Sequence, residues 1–171
     1  MRRTLISVVS VLSLSVAALG QSRTFTRDNL EYVLELPSPS WQAASRLDVH
    51  EHLEFIYDGD QANGYLRLRK KLVAAGTTGE DLFREQEKWE LQRLPGYVAC
   101  SNGRGAEFSG HLSGTVFSYE YVSNGRNMDG RIYYLRVDAR TLYLLHFTVR
   151  SDRLAELRAQ MDAIARSFCL K

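Results

Sequence analysis

Hydrophobic and polar positions along this chain follow two rhythms, and the change from one to the other marks out its elements. In EYVLEL, Glu31 to Leu36, the side chains of Tyr32, Leu34 and Leu36 fall on one face of an extended strand, and Pro37 and Pro39 stop it. HEHLEFIYD then puts Leu53, Phe55 and Tyr57 on one face, DGDQANG turns the chain, and YLRLRKKL returns with Leu66 and Leu68 opposed to Arg67 and Arg69. This is a hairpin pattern. From Thr78 the period lengthens to that of a helix, with Leu82, Phe83, Trp89, Glu90 and Leu94 in one broad sector and Thr78 and Asp81 spaced as a capping pair. Pro95 to Tyr97 ends that helix.

Period two then resumes in Gly114 to Val122, Arg131 to Val137 and Leu142 to Val149, with GRGAEFSG as a further candidate strand. Asn124-Gly125, Asp129-Gly130 and the DAR stretch read as the turns between them, and connections this short require antiparallel neighbours. In LYLLHFTV both faces are mostly apolar: Leu142, Leu144, His146 and Thr148 on one, Tyr143, Leu145, Phe147 and Val149 on the other. Such a strand is expected to be covered on both sides. A last helix begins at Ser151 or Asp152 and spaces Leu154, Leu157, Met161, Ile164 and Phe168 by three and four, one stripe to lay on a sheet. The fold class expected is α+β, an antiparallel β-sheet with helices on both faces.

Composition supports one folded unit: 171 residues, 44% hydrophobic and 25% charged, without repeats or a low-complexity linker. The start changes the reading of charge. Arg2 and Arg3, an apolar run from Leu5 to Leu19 and small residues at Ala18 and Gly20 have the layout of a secretory signal peptide over residues 1–20, leaving a single domain at 21–171. Its removal takes two arginines and no acid, so the formal charge of +2 falls to zero. A neutral chain argues against nucleic acid as a partner, since that requires a sustained positive field. The expected location is periplasmic or secreted, with no membrane segment after processing.

Candidate chemistry is sparse. His50, His52 and Glu54 alternate along one strand, a way of offering two imidazoles and a carboxylate to a transition metal, but no fourth ligand stands near them in the sequence. His146, alone in an apolar strand, reads as a neutral core histidine satisfied by hydrogen bonds. Phe117, Tyr119 and Tyr121 share a face and read as core beneath a helix. No nucleophile elbow or phosphate cradle is spelled out, so neither an enzyme nor a cofactor is expected. In an oxidising compartment the two cysteines, Cys100 and Cys169, are expected to form a disulfide.

The order of strands, helix, strands and terminal helix resembles the PsbP-like family, whose fold is shared with the eukaryotic Ran-binding Mog family. The resemblance runs from Tyr32 to Phe168 and is carried by YVLELPSPSW, by GRIYYLRVDARTLYLLHFT and by LAELRAQMDAIARSF. It implies an antiparallel sheet flanked by helices, in proteins that act mainly by binding or stabilising protein assemblies. The functional expectation is therefore an exported, non-enzymatic domain that binds or stabilises an envelope protein assembly. The alternative is a small-ligand or metal-binding module built on the face of His50, His52 and Glu54.

Overall fold

A computed structural model describes residues 22–44 and 53–171. Its strands in chain order are β1 (Arg23–Phe25), β2 (Tyr32–Leu36), β3 (Trp41–Ala43), β4 (Leu53–Tyr57), β5 (Asp60–Leu72), β6 (Val98–Ala99), β7 (Ala106–Ser109), β8 (Ser113–Ser123), β9 (Arg126–Arg136), β10 (Thr141–Arg150) and β11 (Cys169–Leu170). The helices are α1 (Gly79–Trp89) and α2 (Leu154–Ser167). Strands β3-β4-β5-β10-β9-β8-β6 run in that order across one antiparallel sheet, in which β7 also pairs with β8; β1-β2-β11 form a second, smaller sheet.

Strand β10 divides the interior in two. Its Tyr143, Leu145, Phe147 and Val149 join Leu34, Leu36, Trp41, Phe55 and the α2 stripe Leu157, Met161, Ile164 and Ala165 in one buried cluster. Leu142 and Leu144 join Leu82 and Phe83 of α1, with Phe117, Tyr119, Ile132 and Tyr134, in the other. The alternation of side chains along a strand produces this division, because period two assigns odd and even positions to opposite faces. Polar ties fix α2 in place: the Trp41 indole N–H donates to Gln160 Oε1 at 3.1 Å, and the Tyr57 hydroxyl donates to Glu156 at 3.3 Å. Where α2 ends, Phe168 sits between Tyr32 and Tyr143, with ring centroids at 5.1 and 4.8 Å, and so joins the small sheet to the large one.

Helix α1 opens with the capping box its sequence announces, Asp81 N–H donating to Thr78 Oγ1 and Thr78 N–H donating back to the Asp81 carboxylate. Those bonds from Thr78 hold the Asp81 carboxyl below its ordinary range. The helix stops at Trp89, and a 3₁₀ turn at Leu91–Arg93 changes the phase so that Leu91 is buried while Trp89 stays 56% exposed. The single apolar sector expected from Leu82 to Leu94 is therefore broken at Trp89.

Two other expectations are corrected. Asp129 and Gly130 do not form a turn; they lie inside β9, opposite Val149 and Thr148 of β10. The β8–β9 hairpin turns at Asn124-Gly125, with φ of 50° and 72°, the left-handed pair that matches strand twist. Nor do the cysteines pair. Cys100 and Cys169 are both free, Cys100 in a 3₁₀ turn after β6 at the margin of the large sheet and Cys169 beside Val33 in the small one. Cys100, after α1, stands beside the outer strand β6 of the large sheet, whereas Cys169, after α2, is part of the small sheet. Thiol titration of the denatured, unreduced protein is expected to count two free thiols per chain, and reductant to leave the melting temperature unchanged. One disulfide per chain would contradict this arrangement.

Candidate functional site

The two halves of the interior are not closed equally. Helix α1 has 11 residues, about 16 Å of helix, whereas the ten residues of β10 extend about 33 Å. Helix α1 packs over Leu142 and Leu144, and the face continues beyond it through His146 and Thr148. Register places Arg67 and Tyr65 of β5 opposite these two residues, and Glu54 and Ile56 of β4 opposite Arg67 and Tyr65 in turn. On the other side Tyr119 and Tyr121 of β8 lie opposite Gly130 and Met128 of β9. This stretch of sheet is the candidate site.

At its centre the Tyr119 ring lies across β9 at Gly130 and brings its hydroxyl to 2.6 Å from His146 Nε2 on β10. Only glycine permits this approach, since a Cβ at position 130 would fall within the Tyr119 ring. Burial pushes the Tyr119 hydroxyl well above its usual range. Burial also pushes His146 down to about 4, with Arg69 and Arg67 adding positive charge nearby. The pair is therefore a neutral imidazole against a neutral phenol, with the direction of the bond following the imidazole tautomer.

Toward the sheet edge, Tyr65 donates to Glu54 Oε1, and Arg67 joins the same carboxylate through Nε at 3.0 Å and a terminal nitrogen at 2.9 Å. Burial and the bond to Glu54 push the Tyr65 hydroxyl up to about 12. At the hairpin end lies an open cleft of about 470 Å³, its lining including Tyr65, Tyr121, Met128, Thr148, Arg126 and Asp60. Aromatic rings beside several polar side chains suit a binding surface.

Of the residues singled out in the sequence, Glu54 and His146 belong to this face, and so does the row of Tyr119 and Tyr121. His50 and His52 lie outside the described residues, and among the described residues no group of three metal-ligating side chains assembles. Tyr65, Arg67 and the cleft were not foreseen, because they come together only through the register of β4 against β5 and of β5 against β10.

No family model and no curated protein sequence matches this chain. Solved structures do. Cyanobacterial PsbP (CyanoP) from Synechocystis sp. PCC 6803 superposes with a TM-score of 0.60 at 11% identity, over 93% of this chain and 98% of that one. The Saccharomyces cerevisiae Ran-binding protein Mog1p gives 0.60 at 11%, over 88% and 96%. The fold is that of PsbP and Mog1p. LpqN of Mycobacterium tuberculosis, a protein involved in cell envelope biogenesis, gives 0.52 at 16%, over 88% and 91%. At these identities the likeness concerns the fold alone.

Two measurements test the site. Gly130→Ala is expected to destabilise the protein by about 1–3 kcal/mol, because the Tyr119 ring must move or the strand must shift; chemical denaturation measures it, and an unchanged midpoint would contradict the geometry. The second concerns pH. A histidine whose folded pKa is below its unfolded value binds more protons when unfolded, so stability is full above about pH 6.5 and declines as pH falls toward 4. That decline is expected to be shallower in His146→Gln, and an NMR titration of His146 giving a midpoint near 6.5 would refute its buried neutral state.

Proposed function

We propose that this chain is an exported, non-enzymatic domain that binds or stabilises a protein assembly of the cell envelope, through the open end of the sheet face beyond α1. The observation that carries this reading is how the reactive groups of that face are used. The Glu54 carboxylate is taken by Tyr65 and Arg67, and His146 is held neutral against Tyr119. What the face turns outward is aromatic and polar surface around a cleft, as binding requires, rather than a nucleophile aligned with a base. We read the architecture as an α/β/α sandwich with one end of one layer missing, on the support of the two clusters that share β10.

Two further features support the reading. Two structural neighbours, the Ran-binding protein Mog1p and LpqN, which is involved in cell envelope biogenesis, are compatible with a binding domain and an envelope setting. Arg2, Arg3 and the apolar run that follows supply an export signal, and among the described residues no helix is long and apolar enough to cross a membrane. The metal-binding alternative on His50, His52 and Glu54 would have to draw Glu54 out of its bonds with Tyr65 and Arg67, an uphill exchange in a partly buried setting.

The test is photo-crosslinking in the native envelope. A crosslinker at Tyr121 is expected to capture one defined protein that a crosslinker at Arg158, exposed on α2, does not. The captured mature chain is expected to begin at Gln21. Identical or absent products from the two positions would remove the binding face, and a chain beginning at Met1 in washed membranes would make the leader an anchor.

A further inference from the structure

Beside the open face, α1 and β5 enclose a second groove of about 220 Å³, between Leu82, Trp89 and Glu85 on the helix and Arg69, Lys71 and Leu144 on the sheet. We propose that this groove seats an acidic segment of a protein partner, placing a carboxylate on Arg69 and an apolar side chain against Trp89, Leu82 and Leu144. The proposal rests on the reading of the chain as a protein-binding domain and states the chemistry of the partner.

Charge complementarity is the first argument. Lys71 pairs with Glu85 at 3.1 Å, Lys70 pairs with Glu31 on the opposite face at 2.6 Å, and Glu90 accepts from Gln86 at 3.1 Å. Further along β5, Arg67 is paired with Glu54. Arg69 is the exception: among the described residues its Nε is buried and meets no acceptor, and no carboxylate lies within ion-pair distance of it. A buried guanidinium nitrogen without an acceptor costs stability, and a partner's carboxylate would remove that cost while accepting from the planar fork.

The apolar side of the groove is the second argument. Trp89 is 56% exposed beside Leu82 and Leu144, which are nearly buried, and the Lys88 ammonium lies 4.9 Å from the indole ring centroid. Tryptophan and arginine are the side chains most enriched among those that carry binding energy at interfaces. The wall beneath them is firm, because the Tyr134 hydroxyl donates to Gln86 Oε1 at 2.9 Å. A groove of this volume is too small for most drug-sized ligands, and it suits one or two side chains of a peptide.

The probe is a capped hexapeptide alternating Glu and Leu, titrated into the mature chain and followed by NMR at the Arg69 Nε–H and the Trp89 indole N–H. Both resonances are expected to shift together. Affinity is expected to fall about tenfold or more for Arg69→Gln and for a peptide with Gln in place of Glu, the loss of one charge-assisted hydrogen bond. Arg69→Gln is expected to keep or raise the melting temperature, since the nitrogen it removes meets no acceptor among the described residues. If that variant fails to fold, the two peptides compared on the wild-type chain decide the matter. Equal binding of the two peptides, no shift at either resonance, or the same shifts from inorganic phosphate alone would overturn the proposal. Should the peptide fail while Arg69→Gln still yields the protein crosslinked at Tyr121, the groove is wrong and the wider reading stands. Loss of any crosslink in wild type would instead remove the wider reading.

Discussion

Everything in this fold answers to one constraint, the burial of β10 on both faces and both edges. Its backbone is paired to β5 from Thr141 to Thr148 and to β9 from Leu142 to Arg150, so little of its length is left as an open edge. Its side chains are shared between two cores, and each large apolar side chain so buried contributes about 1.5–3 kcal/mol. A strand with this demand cannot be served by one helix. Helix α2 follows β10 through only a 3₁₀ turn at Ser151–Arg153 and packs into the cluster of Tyr143 and Phe147, while α1, earlier in the chain, packs into the cluster of Leu142 and Leu144.

The asymmetry between the two helices then creates the site. The α2 side receives a 14-residue helix, Trp41 and the small sheet, and it closes. The α1 side receives 11 residues of helix, and beyond them side chains must cover the sheet themselves. Tyr119 does this by reclining over Gly130 to meet His146, and Tyr65 and Arg67 do it by gathering on Glu54. Each arrangement satisfies polar groups close to apolar surface, which is the condition for leaving them there. The cleft begins where this self-cover ends, at Tyr121 and Thr148.

Much of the fold was legible in the sequence because it is written as periodicity. The alternation in β2, β4 and β10, the stripe on α2 and the capping box at Thr78 all name their own partners' faces. In two of the misreadings a local signal was outweighed by a long-range arrangement, and in the other by the end of a helix. Asp129-Gly130 has the composition of a turn, but Gly130 is needed for the Tyr119 ring. Trp89 has the spacing of a core residue, but the helix ends there and Leu91 takes the buried place. Cys100 and Cys169 follow the two helices in the chain, but one ends in a 3₁₀ turn at the margin of the large sheet and the other in the small sheet. Within the candidate site, His146 announced itself as a polar residue in an apolar strand, and Glu54 as the third member of the row with His50 and His52. Tyr65, Arg67 and Arg69 did not, because their roles depend on what stands across the sheet from them.

This also bears on how far likeness of fold can reach. Sequences only 11 to 16% identical keep this architecture because the demand of the core is for apolar side chains at alternate positions, and many sequences meet it. The surface beyond α1 is under no such demand. A core pattern satisfied by unrelated side chains carries no information about Tyr121, Arg69 or Trp89, so two proteins can share every layer of the fold and present different chemistry at its open end. On the proposed reading of this chain as a binding domain, recognition would fall to those few partly exposed residues. Among them Arg69 carries the most weight in that proposal, because its buried Nε meets no acceptor among the described residues and it lines a groove beside an exposed tryptophan.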